Sequence, residues 1–311
     1  MTPISFSFCN FSNFVNTSSS EAVPGLSCSV TFPCFALDTS PATPGGQEGG
    51  ALQEQETAQT QTGPTWESRT PSEAFQGIQG CAVLYDLGTD HYTLYQEDLC
   101  RTQVSPCSTF KILSTLMGLH TGVLTGPEST MTYSGIQYPV AAWNGNLTLA
   151  EAFQSSCVWY FRQVIDQVGQ ASVAQQLAAL DYGNQDISQW EGGGQNQSPE
   201  LNGFWIDSSL KISPLEQVQV LTKVFEGRSQ YTQEEVDTLR TIMLVQDDGT
   251  RQVYGKTGSG FGETGWFVGF QEKAGARTYF AVYLADENRT VSGSQAREVA
   301  FALLKETASL A

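Results

Sequence analysis

Ser108 and Lys111 stand three residues apart in SPCSTFKILSTLMGL (105–119), where an apolar, helix-like run begins. One turn of helix brings both side chains to one face. A serine is a weak nucleophile at neutral pH until an adjacent base takes its proton. A lysine serves as that base only where burial suppresses its charge, and TFKILSTL surrounds Lys111 with apolar residues. A helix N-terminus at Ser108 also aims backbone N–H groups at the place where an oxyanion would develop. The chemistry implied is acyl transfer.

Other segments supply partners for the pair. FQSSCVWYF (153–161) offers Ser156 at the junction of two helical patterns, placed to pass a proton to a leaving nitrogen. YGKTGSGFGETGWFVGF (254–270) carries Lys256-Thr257-Gly258 on an edge strand, followed by Ser259. Lys256 and Thr257 suit a substrate carboxylate, and the Ser259 N–H gives a second oxyanion donor opposite the first. Tyr182-Gly183-Asn184 leads through an acidic, Gly-rich loop to FWIDSSLKISPLEQ (204–217). Taken singly, each feature has an ordinary reading: a solvated lysine, a small-residue junction, a strand-turn tripeptide, a core tryptophan. Their joint occurrence in one order favours a site.

The elements that must position these residues follow from periodicity. CAVLYDLGTDHYTLYQ (81–96) reads as a β-hairpin turning at Leu-Gly-Thr-Asp. Helical spacing begins at Ser108 and recurs at 148–155, 158–168, 171–180, 213–225, 232–244 and 292–308. Strand patterns fall at 251–255, 264–271 and 277–285. Strands at both ends around a block of helices predict an α+β fold. An antiparallel sheet is built from both chain ends, with terminal helices and an inserted all-helical lobe. A cleft between such lobes is a usual place for a site. Residues 39–65 are Thr, Gln, Gly, Pro and Glu with little to bury, so 1–70 reads as a disordered segment and linker and 71–311 as the catalytic domain.

With 32 acidic and 15 basic residues the formal charge is −17, which argues against nucleic acid and against an anionic membrane surface. No basic residue precedes Arg69, so no secretory n-region is recognisable; the chain is either cytosolic or preceded by a targeting segment. The seven cysteines form no CxxC pair, and no metal site is expected. Cys81 and Cys100 flank the hairpin and are expected to form a disulfide in an oxidising compartment, two buried thiols being the alternative. Cys107 and Cys157 are expected to pack away from the cleft.

As a set, PCSTFKILSTL, YPVAAWNGNLTL (138–149), SSCVWYF, YGN, FWIDSSLKISPLEQ, KTGSG and GWFVGF resemble class D, oxacillinase-type, β-lactamases from about residue 78 onward. Ser-x-x-Lys with Lys-Thr-Gly is a pairing of penicillin-interacting enzymes. The sensor domains of transmembrane penicillin receptors share this framework and resemble the chain as closely. The resemblance implies a β-lactam as the small-molecule partner and a serine acyl-enzyme on Ser108. It implies a Lys111 carbamylated by CO2 or bicarbonate as the base, with no other cofactor. It further implies that Trp205 donates its indole N–H to the carbamate, that Val158 shields it, and that Arg297 joins Thr257 in binding the substrate carboxylate. Class D lactamases tend to carry an apolar residue at the position of Val158 and the receptors asparagine, which favours hydrolysis. Acylation without release, as in a receptor sensor domain, is the second reading, and a D-Ala-D-Ala peptidase the third. An extracytoplasmic location follows from the same resemblance, with membrane association only as a fragment of a receptor.

Overall fold

A computed structural model describes residues 63–261 and 263–308. Most of the 39–65 linker therefore lies outside the described residues. In chain order the strands are β1 (Thr65–Arg69), β2 (Gly80–Asp86), β3 (His91–Tyr95), β4 (Thr130–Met131), β5 (Leu147–Thr148), β6 (Leu244–Asp247), β7 (Arg251–Gly260), β8 (Thr264–Lys273) and β9 (Ala276–Ala285). The helices are α1 (Glu97–Cys100), α2 (Lys111–His120), α3 (Leu149–Gln154), α4 (Val158–Val168), α5 (Gln170–Leu180), α6 (Pro214–Phe225), α7 (Gln233–Met243) and α8 (Gly293–Ala308).

β4 and β5 form a small ribbon, and the other seven strands make one sheet in the order β1-β3-β2-β9-β8-β7-β6. All of its neighbours are antiparallel except β1 and β3. The sheet thus joins both ends of the described chain, and the helices from α2 to α7 are inserted between its halves, as the order of periodicities predicts. Along β9 the faces alternate: Phe280, Val282 and Leu284 belong to one core cluster, Tyr279, Ala281 and Tyr283 to the other. Helix α8 covers the first face with Ala296, Val299, Ala300 and Leu303, the i, i+3, i+4, i+7 stripe of an amphipathic helix. Helix α6 lies across the second face, against β2 and β9.

Helix starts are written in the sequence. Thr148 with Glu151, Ser213 with Glu216 and Thr232 with Glu235 form reciprocal capping boxes, and Pro214 occupies the first position of α6. The reading of ordered chain from Pro71 needs correction, because β1 starts at Thr65. Its composition is polar because it is an edge strand; it is held by register with β3 and by Trp66 stacked 4.2 Å from Tyr92. The Lys-Thr-Gly strand is likewise not the edge, since β6 lies outside it. β6 pairs with β7 only over Gln252–Tyr254, however, so the stretch from Lys256 onward keeps its outer side unpaired by β6. Cys81 and Cys100 are free and buried rather than joined. The Cys100 thiol donates to the carbonyls of Ala82 (3.3 Å) and Tyr95 (3.2 Å), and its hydrogen bond with Cys81, together with burial, pushes the Cys81 thiol well up.

Candidate active site

A single-turn 3-10 helix, Cys107–Phe110, runs directly into α2 and presents Ser108 at the mouth of the cleft. Lys111, fully buried, donates from Nζ to Ser108 Oγ at 2.8 Å. Burial pushes its pKa down to about 8. A neutral amine at hydrogen-bond distance from a serine hydroxyl has the geometry of a base beside a nucleophile. On the other side, Lys256 donates to Ser156 Oγ (3.0 Å) and to the Thr257 carbonyl (2.9 Å). It is buried too, and burial, then the charge of Lys111, pushes its pKa well down. Two serine–lysine pairs therefore stand within electrostatic reach of one another, and burial disfavours both ammonium charges.

Backbone close approach sets the rest. A Cβ on Gly258 would lie 3.3 Å from Ser108 N and 3.2 Å from Thr109 Cγ2, so β7 lies so close to the nucleophile's turn that any side chain there would push the two apart by a few tenths of an ångström. This sets the Ser108 N–H and the strand leading to Ser259 on the same wall. Ser259 lines the cavity with Ser108, and its hydroxyl accepts from Gly293 N at 2.9 Å. Cys107 and Ser156 both adopt left-handed backbone (φ 48 and 57), a conformation costly for non-glycine residues and frequent at functional turns.

The same turns bear on the expectation for the two neighbouring cysteines: Cys107 departs from it, whereas Cys157, a core residue, lines neither cavity. Cys107 begins its 3-10 turn at positive φ, lines the cavity and directs its thiol to Asp207 Oδ1 (3.7 Å). Cys157, an extended residue ahead of α4, lies within electrostatic reach of Lys111. Burial raises both thiols, to about 12 and about 11.

The segment carrying Trp205 is pinned by hydrogen bonds to its backbone. Ser105 Oγ donates to the Trp205 carbonyl (3.0 Å) and accepts from Asp207 N (2.9 Å), and Val104 bridges to Ile212. The Tyr-Gly-Asn motif holds the other end. A Cβ on Gly183 would sit 1.9 Å from the Lys211 carbonyl, while the Asn184 amide donates to Ser209 O and accepts from Lys211 N. Trp205 is thereby fully buried and stacked 5.5 Å from Phe110, the residue beside Lys111. Its Nε1 has no hydrogen-bond partner. By contrast, the Trp190 indole donates to Asp166 at 3.1 Å.

Ser108 and Val158 share a cavity of about 280 Å³ with Pro139, Val140, Trp143, Leu201, Ile206 and Phe261. Thr257, Lys256 and exposed Arg297 line a second one of about 140 Å³. Of the residues singled out from sequence, Ser108, Val158 and Ser259 thus line one cavity and Lys256, Thr257 and Arg297 a second, while Ser156 is tied to Lys256 and Trp205 lies buried behind Phe110. Asp207 and Trp143 also line the first and were not singled out, although an acid in the apolar FWIDSS run was a readable signal. A larger cavity of about 760 Å³ sits among the turns at the other end of the sheet, near Glu226, Glu272 and Arg277. No member of the serine–lysine pairs reaches it. Among the described residues no cluster of His, Cys, Asp and Glu suits a metal ion.

A sheet joining both ends of the described chain, a helical insert, and Ser-x-x-Lys facing Lys-Thr-Gly make up the serine penicillin-recognising fold. The penicillin-binding protein transpeptidase domain model matches residues 59–305, and the chain belongs to that family. It is 34% identical over 229 residues to the regulatory protein BlaR1 of Bacillus licheniformis, a match covering 72% of this chain and 36% of that protein. The C-terminal domain of the B. licheniformis BlaR penicillin-receptor superposes with a TM-score of 0.71 at 32% identity, covering 79% of this chain and 97% of that domain. A class D β-lactamase from Bacillus subtilis gives a TM-score of 0.68 at 28% identity, over 75% and 93% of the two chains. The chain spans little more than a third of the length of the BlaR1 relatives. No helix among the described residues is long and apolar enough to cross a membrane.

Proposed function

We propose that the protein hydrolyses β-lactams through an acyl-enzyme on Ser108 and acts outside the cytoplasm. Lys111 takes the Ser108 proton as Oγ attacks the lactam carbonyl, and the Ser108 and Ser259 N–H groups receive the developing oxyanion. Ser156, hydrogen-bonded to Lys256, delivers a proton to the departing nitrogen. Thr257 and Arg297, with Lys256, hold the substrate carboxylate. Release of the ester needs a base that persists after acylation, and a carbamate on Lys111 would supply it.

The observation that carries this reading is the fully buried, unpartnered indole N–H of Trp205 beside the Lys111 helix turn. An unsatisfied buried donor costs about 1–3 kcal/mol, a cost that an anionic acceptor on Lys111 would relieve. Burial, more than the charge of Lys111, depresses Lys256, and a negative group on Lys111 would turn the lesser of these effects into attraction. Val158, apolar and lining the Ser108 cavity, keeps that corner dry. Trp205→Phe is the test, since it keeps an aromatic ring at the site and removes the donor. The variant should fold, acylate, and lose both the gain from added bicarbonate and most deacylation. Bicarbonate-stimulated turnover equal to the parent's would contradict the reading.

The second reading, a sensor that stays acylated, is favoured by the likeness to the BlaR penicillin-receptor domain. It differs from the first only in the fate of the ester.

A further inference from the structure

The cavity holding Ser108 has an acid in its wall that acyl transfer does not use. The wall is otherwise largely apolar, formed by Val140, Trp143, Leu201, Ile206 and Phe261. Asp207 interrupts it, half-buried and at a left-handed φ of 42. Its carboxylate has no cationic partner within ion-pair distance among the described residues. Oδ1 takes a 3.7 Å contact from the Cys107 thiol, and Oδ2 takes no hydrogen bond at all. Lys211 and Glu263 act on it at longer range with opposite sign, while burial pushes its pKa up. A partly buried carboxylate without a cation is uncompensated, and what it lacks is a positive charge.

The far side of the cleft has the opposite sign. Lys256, Thr257 and Arg297 line the second cavity, which shares no residue with the first, and β7 runs from one to the other, giving Lys256 and Thr257 to the second and Ser259 to the first. A ligand spanning both meets cations at one end and an anion in an apolar wall at the other. This layout opposes a ligand that is negative throughout, more so in a chain of net charge −17.

We propose that Asp207 recognises an ammonium group on the acyl side chain of the β-lactam, so that the protein prefers zwitterionic β-lactams, with a carboxylate toward Lys256, Thr257 and Arg297 and a primary amine toward Asp207. The proposal rests on the β-lactam reading of the site and sets its substrate class. The aromatic and aliphatic wall takes the body of the side chain, and the carboxylate selects by charge.

The test compares penicillins sharing one nucleus and one phenyl ring, with ammonium, hydrogen, hydroxyl or carboxylate on the side-chain α carbon. Second-order constants for acylation of the full chain are measured by intact mass against time. The parent protein should rank ammonium above hydrogen and hydroxyl, with carboxylate last. The step from neutral to ammonium should be on the order of tenfold, as for one partly desolvated charge pair. Asp207→Asn should bring the ammonium-to-hydrogen ratio close to one and raise the carboxylate compound relative to both. If Asp207→Asn does not fold, the parent's comparison of ammonium with hydroxyl, nearly equal in size, isolates the charge. A flat or reversed ranking in the parent, or a ratio that survives Asp207→Asn, overturns the proposal. Acylation by none of the four overturns instead the β-lactam reading on which it stands.

Discussion

At the scale of the residue, the determining fact is that a lysine has been placed where it cannot comfortably hold its charge. The folded pKa of Lys111, about 8, lies below its ordinary 10.5. Between those values the unfolded chain holds a proton that the native state does not, so stability rises with pH across that window, and the burial cost is fully present below about 8. Reactivity follows the same sign. Protonated Lys111 cannot take the Ser108 proton, so in bicarbonate-free buffer the acylation constant should climb about tenfold per pH unit toward pH 8 and then level. Stopped-flow acylation from pH 6 to 9 checks this, and a flat profile would remove Lys111 as the base. Most of these side chains were readable from their types and spacing, because Ser-x-x-Lys in an apolar run and Lys-Thr-Gly before a glycine-rich turn need particular chemistry to be worth burying. The direction of the Cys107 thiol was not, because positive φ at that residue leaves little trace in residue type.

Among the elements, β7 and the turn bearing Ser108 act as one unit through Gly258. Gly258→Val forces two branched methyls into a gap where a single Cβ already meets Ser108 N, Thr109 and Pro106 at 3.2–3.3 Å. Overpacking of this kind costs roughly 1–3 kcal/mol in stability. The larger effect should be on acylation, a loss on the order of a hundredfold, because small displacement of the oxyanion donors is enough to spoil the reacting geometry. Acylation constants set beside melting curves separate the two effects, and near-parental acylation would show that β7 does not set the oxyanion site. β1 supports the sheet without touching the chemistry. A chain beginning at residue 71 lacks the Trp66–Tyr92 stack and should melt about 4–8 °C lower, as a loss of ~2 kcal/mol would give, yet acylate at the parental rate. Calorimetry and labelling of chains begun at 63 and at 71 check it. The long helices and inner strands announced themselves by periodicity and capping boxes. β1 and β6 did not: β1 is an edge strand whose polar sequence reads as loop, and β6, four residues following α7 directly, is too short to show a period of its own.

For the molecule as a whole, the α+β architecture was legible from the order of periodicities alone: strands, helices, strands and a final helix allow few other ways to close one sheet. The contest between hydrolysis and sensing is different, because both uses share the fold, the nucleophile and the carboxylate site. It turns on whether a base survives beside the ester, and that depends on a few side chains around Lys111 rather than on any element. The most direct measurement is intact-mass spectrometry of the full chain mixed with a small excess of penicillin in bicarbonate buffer and followed over hours. Ser108 should gain the mass of the acyl group, the excess should be consumed, and the protein should return to its unmodified mass, whereas Lys111→Ala should acylate slowly and remain modified. A stable adduct on the parent protein, formed with one equivalent consumed and never cleared, would contradict hydrolysis and leave a sensor.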